Sequence, residues 1–333
     1  MVFFSLVQRL EALQPLALGQ LPTPLAPLPR LTKALGGPEL WIKRDDLTGL
    51  GLGGNKVRKL NFLLAEALRQ QADVIMTTGA QQSNHARQTA AAAAMLGLPC
   101  VLVLRGDPPR ELEGNYLLDM LLGAEVRWAG ERPALKALYA EAETLRQEGR
   151  NPYVITYGGS SGLGACGFVA AIAELAAQTR ALGFEFDAIV FASSSGGTQA
   201  GMAVGARALE LPTRVVGISI AEPAAAFTQD LEKLSHETTA LLNLNFSLKS
   251  EDFDVRDAYL GQGYGIVTDV EREAIRLVAR TEGLFVDPVY TGRALGGLLD
   301  LINRGEFTSA QRVLFWHTGG APALFAYAKD LMG

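Results

Sequence analysis

The sequence predicts an α/β protein of two domains, each an open, mostly parallel twisted sheet flanked by helices. Short continuous apolar runs alternate with helical patterns along the chain, as in sheets that are covered on both faces. The 333 residues exceed what one ordinary hydrophobic core organises. Glycine makes up 36 of them, against a usual share of about 7%, and this excess indicates many tight turns and close backbone approaches.

The periodicity predicts the individual elements in a regular order. The first are a strand at 40–43, a helix at 56–70, a strand at 73–78, a helix at 84–96 and a strand at 100–104. Further strands are predicted at 153–156, 188–192 and 215–220, with helices between them. After an irregular region at 222–262, we expect a helix at 269–281, a strand near 284–287, a helix from Gly292 and a last strand at 313–317.

The domain limits are predicted from two glycine-rich passages. These passages, at 51–54 and 158–164, bracket a self-contained α/β block. We therefore expect a smaller inserted domain at 53–163 and a larger domain made of 1–52 plus 164–333. In such layouts the ligand site lies in the cleft between domains, at the carboxyl ends of the strands.

Composition narrows the possible functions. A formal charge of −5 with scattered basic residues offers no patch for nucleic acid. Gln8 and Arg9 interrupt the apolar N-terminal run, so no signal peptide is expected, and no later stretch is expected to span a membrane. We expect a cytoplasmic protein. Cys100 and Cys166 are expected to be buried reduced thiols, and the three histidines lack the spacing of a metal site.

The strongest local pattern is a strand that runs into a Ser/Gly loop at 193–198 and opens a helix. Small residues let successive N–H groups converge, and the helix N-terminus adds its dipole, so this turn is predicted to hold a phosphate. The loop follows neither the P-loop pattern nor the Gly-x-Gly-x-x-Gly pattern. An ordinary tight strand–helix turn remains the alternative.

Polar residues also follow three other predicted strands. Gln82, Ser83 and Asn84 lead into a helix and favour a carboxylate site, although a plain N-cap explains Ser83 or Asn84 equally well. Asp-Pro-Val-Tyr-Thr at 287–291 and His-Thr-Gly-Gly at 317–320 lie at other strand ends. With Tyr264 they are predicted to meet at one sheet edge, although Tyr290 alone could be a structural tyrosine.

Lys56 follows Gly53, Gly54 and Asn55 at the start of a predicted helix. It could be a solvated charge or a nucleophile held in a pocket. Arg58 and Lys59 are expected to be surface charges. Lys43-Arg44-Asp45-Asp46 is interpreted as a local salt-bridged cluster, because adjacent residues on an extended chain point to opposite sides.

Taken together and in order, these motifs resemble the pyridoxal-phosphate enzymes of the tryptophan synthase β-subunit fold, fold type II. Within them the chain is similar to the branch that holds D-cysteine desulfhydrase, 1-aminocyclopropane-1-carboxylate deaminase and L-cysteate sulfo-lyase. The resemblance extends from about Thr23 to Tyr327. It implies pyridoxal 5'-phosphate as the cofactor, a small amino acid as the substrate and a homodimer. The larger domain would bind the cofactor, and Gly53 and Gly54 would let it come close.

The resemblance also implies residue roles. Lys56 would carry the cofactor as a Schiff base, Asn84 would flank the pyridine ring and Thr318 would approach its nitrogen. The residues assigned to the cofactor are Lys56, Asn84, Ser195, Gly196, Gly197, Thr198 and Thr318. The residues assigned to the substrate are Gln82, Ser83, Asn84, Tyr264, Tyr290 and Thr291. The residues assigned to catalysis are Lys56, Ser83, Tyr264 and Tyr290.

Two positions favour one reaction within the branch. The cyclopropane deaminases that this chain resembles carry Glu and Leu where it has Thr291 and Thr318. Hydroxyls suit the loss of a good leaving group, so we expect β-elimination of D-cysteine to pyruvate, hydrogen sulfide and ammonia. L-cysteate sulfo-lyase, 1-aminocyclopropane-1-carboxylate deaminase and a catalytically silent small-molecule-binding protein remain alternatives.

Overall fold

The computed structural model describes residues 2–332, which form thirteen helices and ten strands. The strands are β1 (Leu25–Pro27), β2 (Glu39–Arg44), β3 (Val74–Gly79), β4 (Cys100–Leu104), β5 (Glu125–Trp128), β6 (Pro152–Ile155), β7 (Ala188–Ser193), β8 (Arg214–Ser219), β9 (Asp254–Arg256) and β10 (Arg312–His317). The helices are α1 (Val2–Ala12), α2 (Pro29–Leu35), α3 (Lys56–Arg69), α4 (Asn84–Met95), α5 (Gly114–Leu121), α6 (Ala134–Gln147), α7 (Gly162–Leu182), α8 (Gly197–Ala208), α9 (Ala224–Leu241), α10 (Asp269–Glu282), α11 (Thr291–Asn303), α12 (Ala323–Ala326) and α13 (Ala328–Met332). Short 3-10 turns lie at Asp45–Leu47, Tyr157–Gly159 and Ser250–Asp252.

The strands form two sheets. One has six strands in the order β1-β2-β10-β7-β8-β9, and the other has four in the order β5-β4-β3-β6. All neighbours are parallel except β1, which is antiparallel to β2. In the large sheet Phe315 of β10 is paired with Ile42 on one side and Val190 on the other. The predicted α/β class with mostly parallel sheets flanked by helices is therefore confirmed.

The central strands are apolar because both of their faces are covered. Ile189, Val190 and Phe191 of β7 are fully buried, and so are Leu314 and Trp316 of β10. One face of the large sheet packs against α10 and α11, and the other packs against α7. The short continuous apolar runs of the sequence follow from this double coverage.

The small sheet is built wholly from residues 74–155, whereas the large sheet takes strands from both sides of that block. This division agrees with a smaller inserted domain. The limits at 52/53 and 163/164 stay predictions, because α3 packs along α7 across the proposed boundary.

Helix α7 is long and apolar enough to cross a membrane, which the sequence was not expected to contain. Its most apolar window has a mean hydropathy of 1.3, but 72% of that window is buried inside the protein. The helix packs against α3, α8 and α9. Burial in the core accounts for its composition.

Most predicted elements are found within two residues of their expected ends, but the strand predicted at 284–287 is wrong. This segment is irregular because side chains take its backbone groups. The carbonyl of Phe285 is hydrogen-bonded to His317 Nε2 at 2.9 Å, and the Asp287 N–H donates to Thr291 Oγ1 at 2.7 Å. Strands β1, β5 and β9 were not predicted, and each has only three or four residues.

The expectation that Arg58 lies on the surface is also wrong, since only 2% of it is exposed. Its guanidinium donates to both carboxylate oxygens of Asp45 at 2.8 Å and contacts Glu174 at 3.0 Å. Lys43 also pairs with Glu174, whereas Arg44 and Asp46 pair with each other at 2.7 Å. The expected alternation is present, but half of the cluster points into the core. Both cysteines are buried and unpaired, as expected.

Candidate active site

A cavity lies where the carboxyl ends of the two sheets face each other. Its lining residues are Asn55, Lys56, Thr78, Ser83, Asn84, His85, Tyr157, Gly158, Ala192, Ser194, Ser195, Gly196, Thr198, Tyr290 and Thr318. Residues predicted from separate strand ends thus share one wall. Four predicted residues do not line it, namely Gln82, Gly197, Tyr264 and Thr291.

Lys56 is the first residue of α3 and lies at the cavity wall. Its N–H donates to Gln88 Oε1 at 2.9 Å, and the N–H of Asn55 donates to the Thr318 carbonyl at 2.9 Å. The first bond holds the start of α3 against α4, and the second holds it against the end of β10. Burial lowers the pKa of the Lys56 amine to about 8. A substantial share of neutral amine, the nucleophilic form, is therefore present near physiological pH.

The glycines before Lys56 serve the protein chain itself. Gly53 has a φ of +74°, and a Cβ there would overlap the carbonyl oxygen of Asp46. A Cβ on Gly319 would lie 2.7 Å from Gly54 Cα. The loop before Lys56 therefore needs glycine to pack against the segments after β2 and β10. That Gly53 and Gly54 also let the cofactor come close stays a prediction.

The Ser/Gly loop is held open at the start of α8 by Ser160. Gly196 has a φ of +85°, and the N–H of Gly197 donates to Ser160 Oγ at 3.0 Å. The Ser160 hydroxyl donates in turn to Ser195 Oγ at 2.8 Å. Ser195 accepts that bond and keeps its own proton free to donate. Gly197 thus fixes the loop through its backbone N–H and does not itself line the cavity.

Lys59 lies directly behind this loop and is fully buried, so the expectation of a surface charge is wrong. Its Nζ donates to Ser160 Oγ at 3.0 Å and to the Gly158 carbonyl at 3.1 Å. Within residues 2–332 no carboxylate lies at salt-bridge distance from Lys59. Burial, and then the nearby Lys56, holds the pKa of Lys59 well below its usual range. An anion at the loop would supply the missing countercharge, so these residues fit a phosphate group.

Ser83 caps α4, accepting the Ala86 N–H at 3.1 Å, so the N-cap interpretation holds while its side chain still lines the cavity. Asn84 Oδ1 accepts a hydrogen bond from Asn115 Nδ2 at 2.9 Å. Gln82 also turns to Asn115, whose N–H donates to Gln82 Oε1 at 2.8 Å. Gln82 therefore anchors the loop before α5 and does not reach the cavity.

His85 has a fixed tautomer. The Thr77 hydroxyl donates to the Ile155 carbonyl at 2.9 Å, so its oxygen must accept from His85 Nε2, also at 2.9 Å. The other ring nitrogen, Nδ1, is then a bare acceptor, and no described residue donates to it. Burial, followed by the charges of Lys56 and Lys59, holds the pKa of His85 well below its usual value. His85 is therefore neutral.

Tyr264 reaches the cavity through Tyr290. The two phenol oxygens are 2.6 Å apart, and the rings meet edge to face with centroids 5.9 Å apart. Burial raises the pKa of both phenols, so both stay protonated. Asp287 fixes the chain beneath Tyr290, because its Oδ2 accepts the Tyr290 N–H at 2.9 Å.

Thr291 is fully buried and belongs to the same turn. Its hydroxyl donates to Asp287 Oδ1 at 2.7 Å. The structure therefore gives it a positioning role, and the substrate contact that the resemblance implies stays a prediction.

Thr318 lies on the cavity wall directly after β10, and His317 sets its backbone. His317 Nε2 donates to the Phe285 carbonyl at 2.9 Å, and His317 Nδ1 accepts the Gly319 N–H at 3.3 Å. The residues that sequence reasoning missed are Tyr157, Lys59, Ser160 and His85. Of these, His85 stood beside a motif already singled out, and Ser160 lay within the glycine-rich passage at 158–164 that was used only as a domain limit. Lys59 and Tyr157 carry no local signal.

A buried lysine with a lowered pKa and a loop suited to an anion, both on one wall, fit an enzyme that binds a phosphorylated carbonyl cofactor covalently. Comparison with known proteins gives the same class. The family model described as "Pyridoxal-phosphate dependent enzyme" matches residues 16–319. The chain belongs to this family, which uses pyridoxal phosphate.

Relatives of known name divide between two activities. The chain is 42% identical to a 1-aminocyclopropane-1-carboxylate deaminase of Burkholderia ambifaria, over 95% of this chain and 96% of the relative. It is 43% identical to a D-cysteine desulfhydrase of Salmonella newport, over 92% of this chain and 94% of the relative. A crystal structure of an ACC deaminase homologue superposes with a TM-score of 0.89 at 41% identity, covering 97% of this chain and 98% of that one. The fold type II architecture is confirmed.

Proposed function

We propose that this enzyme eliminates hydrogen sulfide from D-cysteine and forms pyruvate and ammonia. The proposal rests mainly on the chemistry of the cavity wall. Thr318 lies there with a neutral hydroxyl, and no Asp or Glu is among the lining residues within the described chain. Of the two relatives, the one at 42% identity is named a deaminase and the one at 43% a desulfhydrase. They support the branch, and the choice of reaction within it rests on the residues of the site.

Pyridoxal phosphate, when bound, withdraws electrons from the substrate Cα. A carboxylate beside the pyridine nitrogen would keep that nitrogen protonated and strengthen the withdrawal. With a hydroxyl such as that of Thr318 in its place, the electron withdrawal would be weaker. The weaker withdrawal suffices when sulfur departs with the bonding electrons, whereas opening an unactivated cyclopropane ring demands more.

The chain's own residues provide the remaining functions. Ser195, Thr198 and the N-terminus of α8 would hold the phosphate, with Lys59 as the buried countercharge. Ser83 and Asn84 at the start of α4 would bind the substrate carboxylate. Lys56, with its pKa near 8, would take the Cα proton as general base.

L-Cysteate sulfo-lyase and 1-aminocyclopropane-1-carboxylate deaminase are the alternatives within the branch. Purified holoenzyme assayed with D-cysteine, L-cysteate and 1-aminocyclopropane-1-carboxylate separates them. We expect sulfide from D-cysteine. Sulfite from L-cysteate without sulfide, or ammonia from the cyclopropane acid alone, would replace this proposal with the corresponding alternative. A Lys56→Ala protein should lose the yellow colour of the holoenzyme, because Lys56 carries the cofactor. A silent small-molecule-binding protein would have no need of this lysine.

We also propose that the enzyme acts in the cytoplasm as a homodimer. The proposal is supported by the reduced state expected of two buried cysteines and by the resemblance to the branch. Light scattering on the purified holoenzyme tests the dimer, and a monomer mass would overturn it.

A further inference from the structure

Tyr157 is a cavity-wall phenol to which the proposed reaction gives no role. It lies two residues after β6 and begins the 3-10 turn Tyr157–Gly159. The side chain is half-buried, and it lines the same cavity as Lys56 and Tyr290. Tyr290 enters from the turn before α11, a helix that packs on the large sheet, whereas Tyr157 comes from the end of the small sheet.

The two residues after Tyr157 are glycines, and the backbone at the first of them passes close to Ser195 and Lys56. Gly158 and Gly159 have φ values of +62° and +63°. A Cβ on Gly158 would overlap the Ser195 hydroxyl and would lie 3.7 Å from Lys56 Nζ. Tyr157 therefore directly precedes Gly158, the residue at which the loop after the small sheet comes near the Lys56 amine.

The hydroxyl of Tyr157 is free among the groups around it. The phenols of Tyr264 and Tyr290 bond to each other at 2.6 Å, which uses one of their two protons. Across residues 2–332, by contrast, no protein group is hydrogen-bonded to the Tyr157 hydroxyl. Tyr157 and Tyr290 line the same cavity, and Tyr264 reaches it through Tyr290, so the three phenols lie around one space.

The other donors near this space are already assigned. Lys56 is the base for the Cα proton, and Lys59 is held by Ser160 and Gly158 behind the phosphate loop. His85 presents a bare acceptor. Phenol hydroxyls remain as donors for a leaving group that carries negative charge, and among the three phenols Tyr157 is the one with no protein partner. The Ser194 hydroxyl lies on the Ser/Gly loop beside the phosphate site.

We propose that Tyr157 determines which β-substituent the site accepts, by donating a hydrogen bond to the departing sulfur. The inference rests on the proposed function. In the elimination the Cβ–S bond breaks, its electron pair leaves with sulfur as hydrosulfide, and the Cα proton goes to Lys56. The phenol keeps its own proton and stabilises the charge that builds on sulfur. Tyr157 is thus a specificity-determining residue.

The experiment compares Tyr157→Phe holoenzyme with wild type on two substrates that differ in the leaving atom. For D-cysteine we expect kcat/KM to fall about 10- to 100-fold, the effect of one hydrogen bond to a charged group. For β-chloro-D-alanine we expect little change, because chloride is the anion of a strong acid and gains little from the bond. The dissociation constant of D-alanine, measured from the visible absorption of the bound cofactor, should stay unchanged because D-alanine has no β-substituent.

Tyr153→Phe is the matched control. It removes a hydroxyl from β6, the strand that precedes Tyr157, and Tyr153 packs against the small-sheet core away from the cavity. Equal losses on both substrates, no loss on either, or weaker D-alanine binding in Tyr157→Phe would overturn the inference while wild type still releases sulfide. A wild-type enzyme that releases no sulfide from D-cysteine would instead overturn the proposed function and the inference with it.

Discussion

Lys59 Nζ lies 3.0 Å from Ser160 Oγ, and that hydroxyl is also the group that positions both Ser195 and Gly197 in the Ser/Gly loop. One buried amine is thereby connected through one serine to the whole anion site. Because protonating this amine without a carboxylate partner is costly, burial holds its pKa well below the usual range. A phosphate bound at the loop would supply the countercharge and favour the protonated amine.

Lys59→Met should weaken the binding of pyridoxal phosphate about 10- to 100-fold, because it removes a charged hydrogen-bond donor while conserving volume. The dissociation constant measured by fluorescence titration of the apoprotein checks this. The apoprotein itself should unfold at the same temperature as wild type or higher, since methionine avoids the cost of burying an amine that has no carboxylate partner. Lys33→Met, on the exposed face of α2, is the control. Unchanged cofactor affinity would contradict a phosphate role for Lys59.

Covalent uptake of the cofactor should depend on pH through Lys56. Burial lowers the pKa of its amine to about 8, and only the neutral amine attacks a carbonyl. The rate of uptake should therefore rise as pH increases through about 8 and level off above it. Stopped-flow absorbance of apoprotein mixed with pyridoxal phosphate measures the profile. A rate that keeps rising toward the usual lysine pKa of about 10.4 would show that the amine is solvated.

Thr291→Val should destabilise the fold by about 1–3 kcal/mol, because the buried Asp287 N–H and carboxylate each lose a partner. Urea unfolding measures the change, and Thr291→Ser should restore most of it. If Thr291 instead contacts the substrate, as the resemblance implies, the valine variant would keep its stability and raise KM.

Gly53→Ala should be more damaging than Gly36→Ala, although both glycines have positive φ. A Cβ at Gly36 meets nothing within 4 Å, so the expected cost is the left-handed backbone alone, about 1–2 kcal/mol. At Gly53 the Cβ would overlap Asp46, and overpacking adds about 1–3 kcal/mol. Thermal unfolding of the two variants gives the comparison, and equal costs would show that the loop before Lys56 can relax.

The sequence was informative where chemistry follows the end of a strand. Lys56, Ser83, Ser195 and Thr318 each stand beside a recognisable turn, and parallel strands bring such turns to one edge. Lys59 was mistaken for a surface charge because its burial depends on residues 158–160, about a hundred positions away in the chain. Tyr157 was missed for the same reason, since its neighbours Tyr264 and Tyr290 come from the other end of the sequence.

The strand predicted at 284–287 failed for a different reason. Its apolar pattern is genuine, since Val286 is fully buried. However, His317 and Thr291 take the backbone hydrogen bonds that a neighbouring strand would have taken. Periodicity reports burial, and it does not say which partner satisfies the backbone.

Sulfide release from D-cysteine by the purified holoenzyme tests the central claim most directly. Initial rates with D-cysteine and with 1-aminocyclopropane-1-carboxylate should be measured in parallel, with Lys56→Ala as the blank. The hydroxyl-lined site predicts sulfide with equimolar pyruvate and a much lower kcat/KM for the cyclopropane acid. Efficient opening of the cyclopropane ring without sulfide release from D-cysteine would contradict the account.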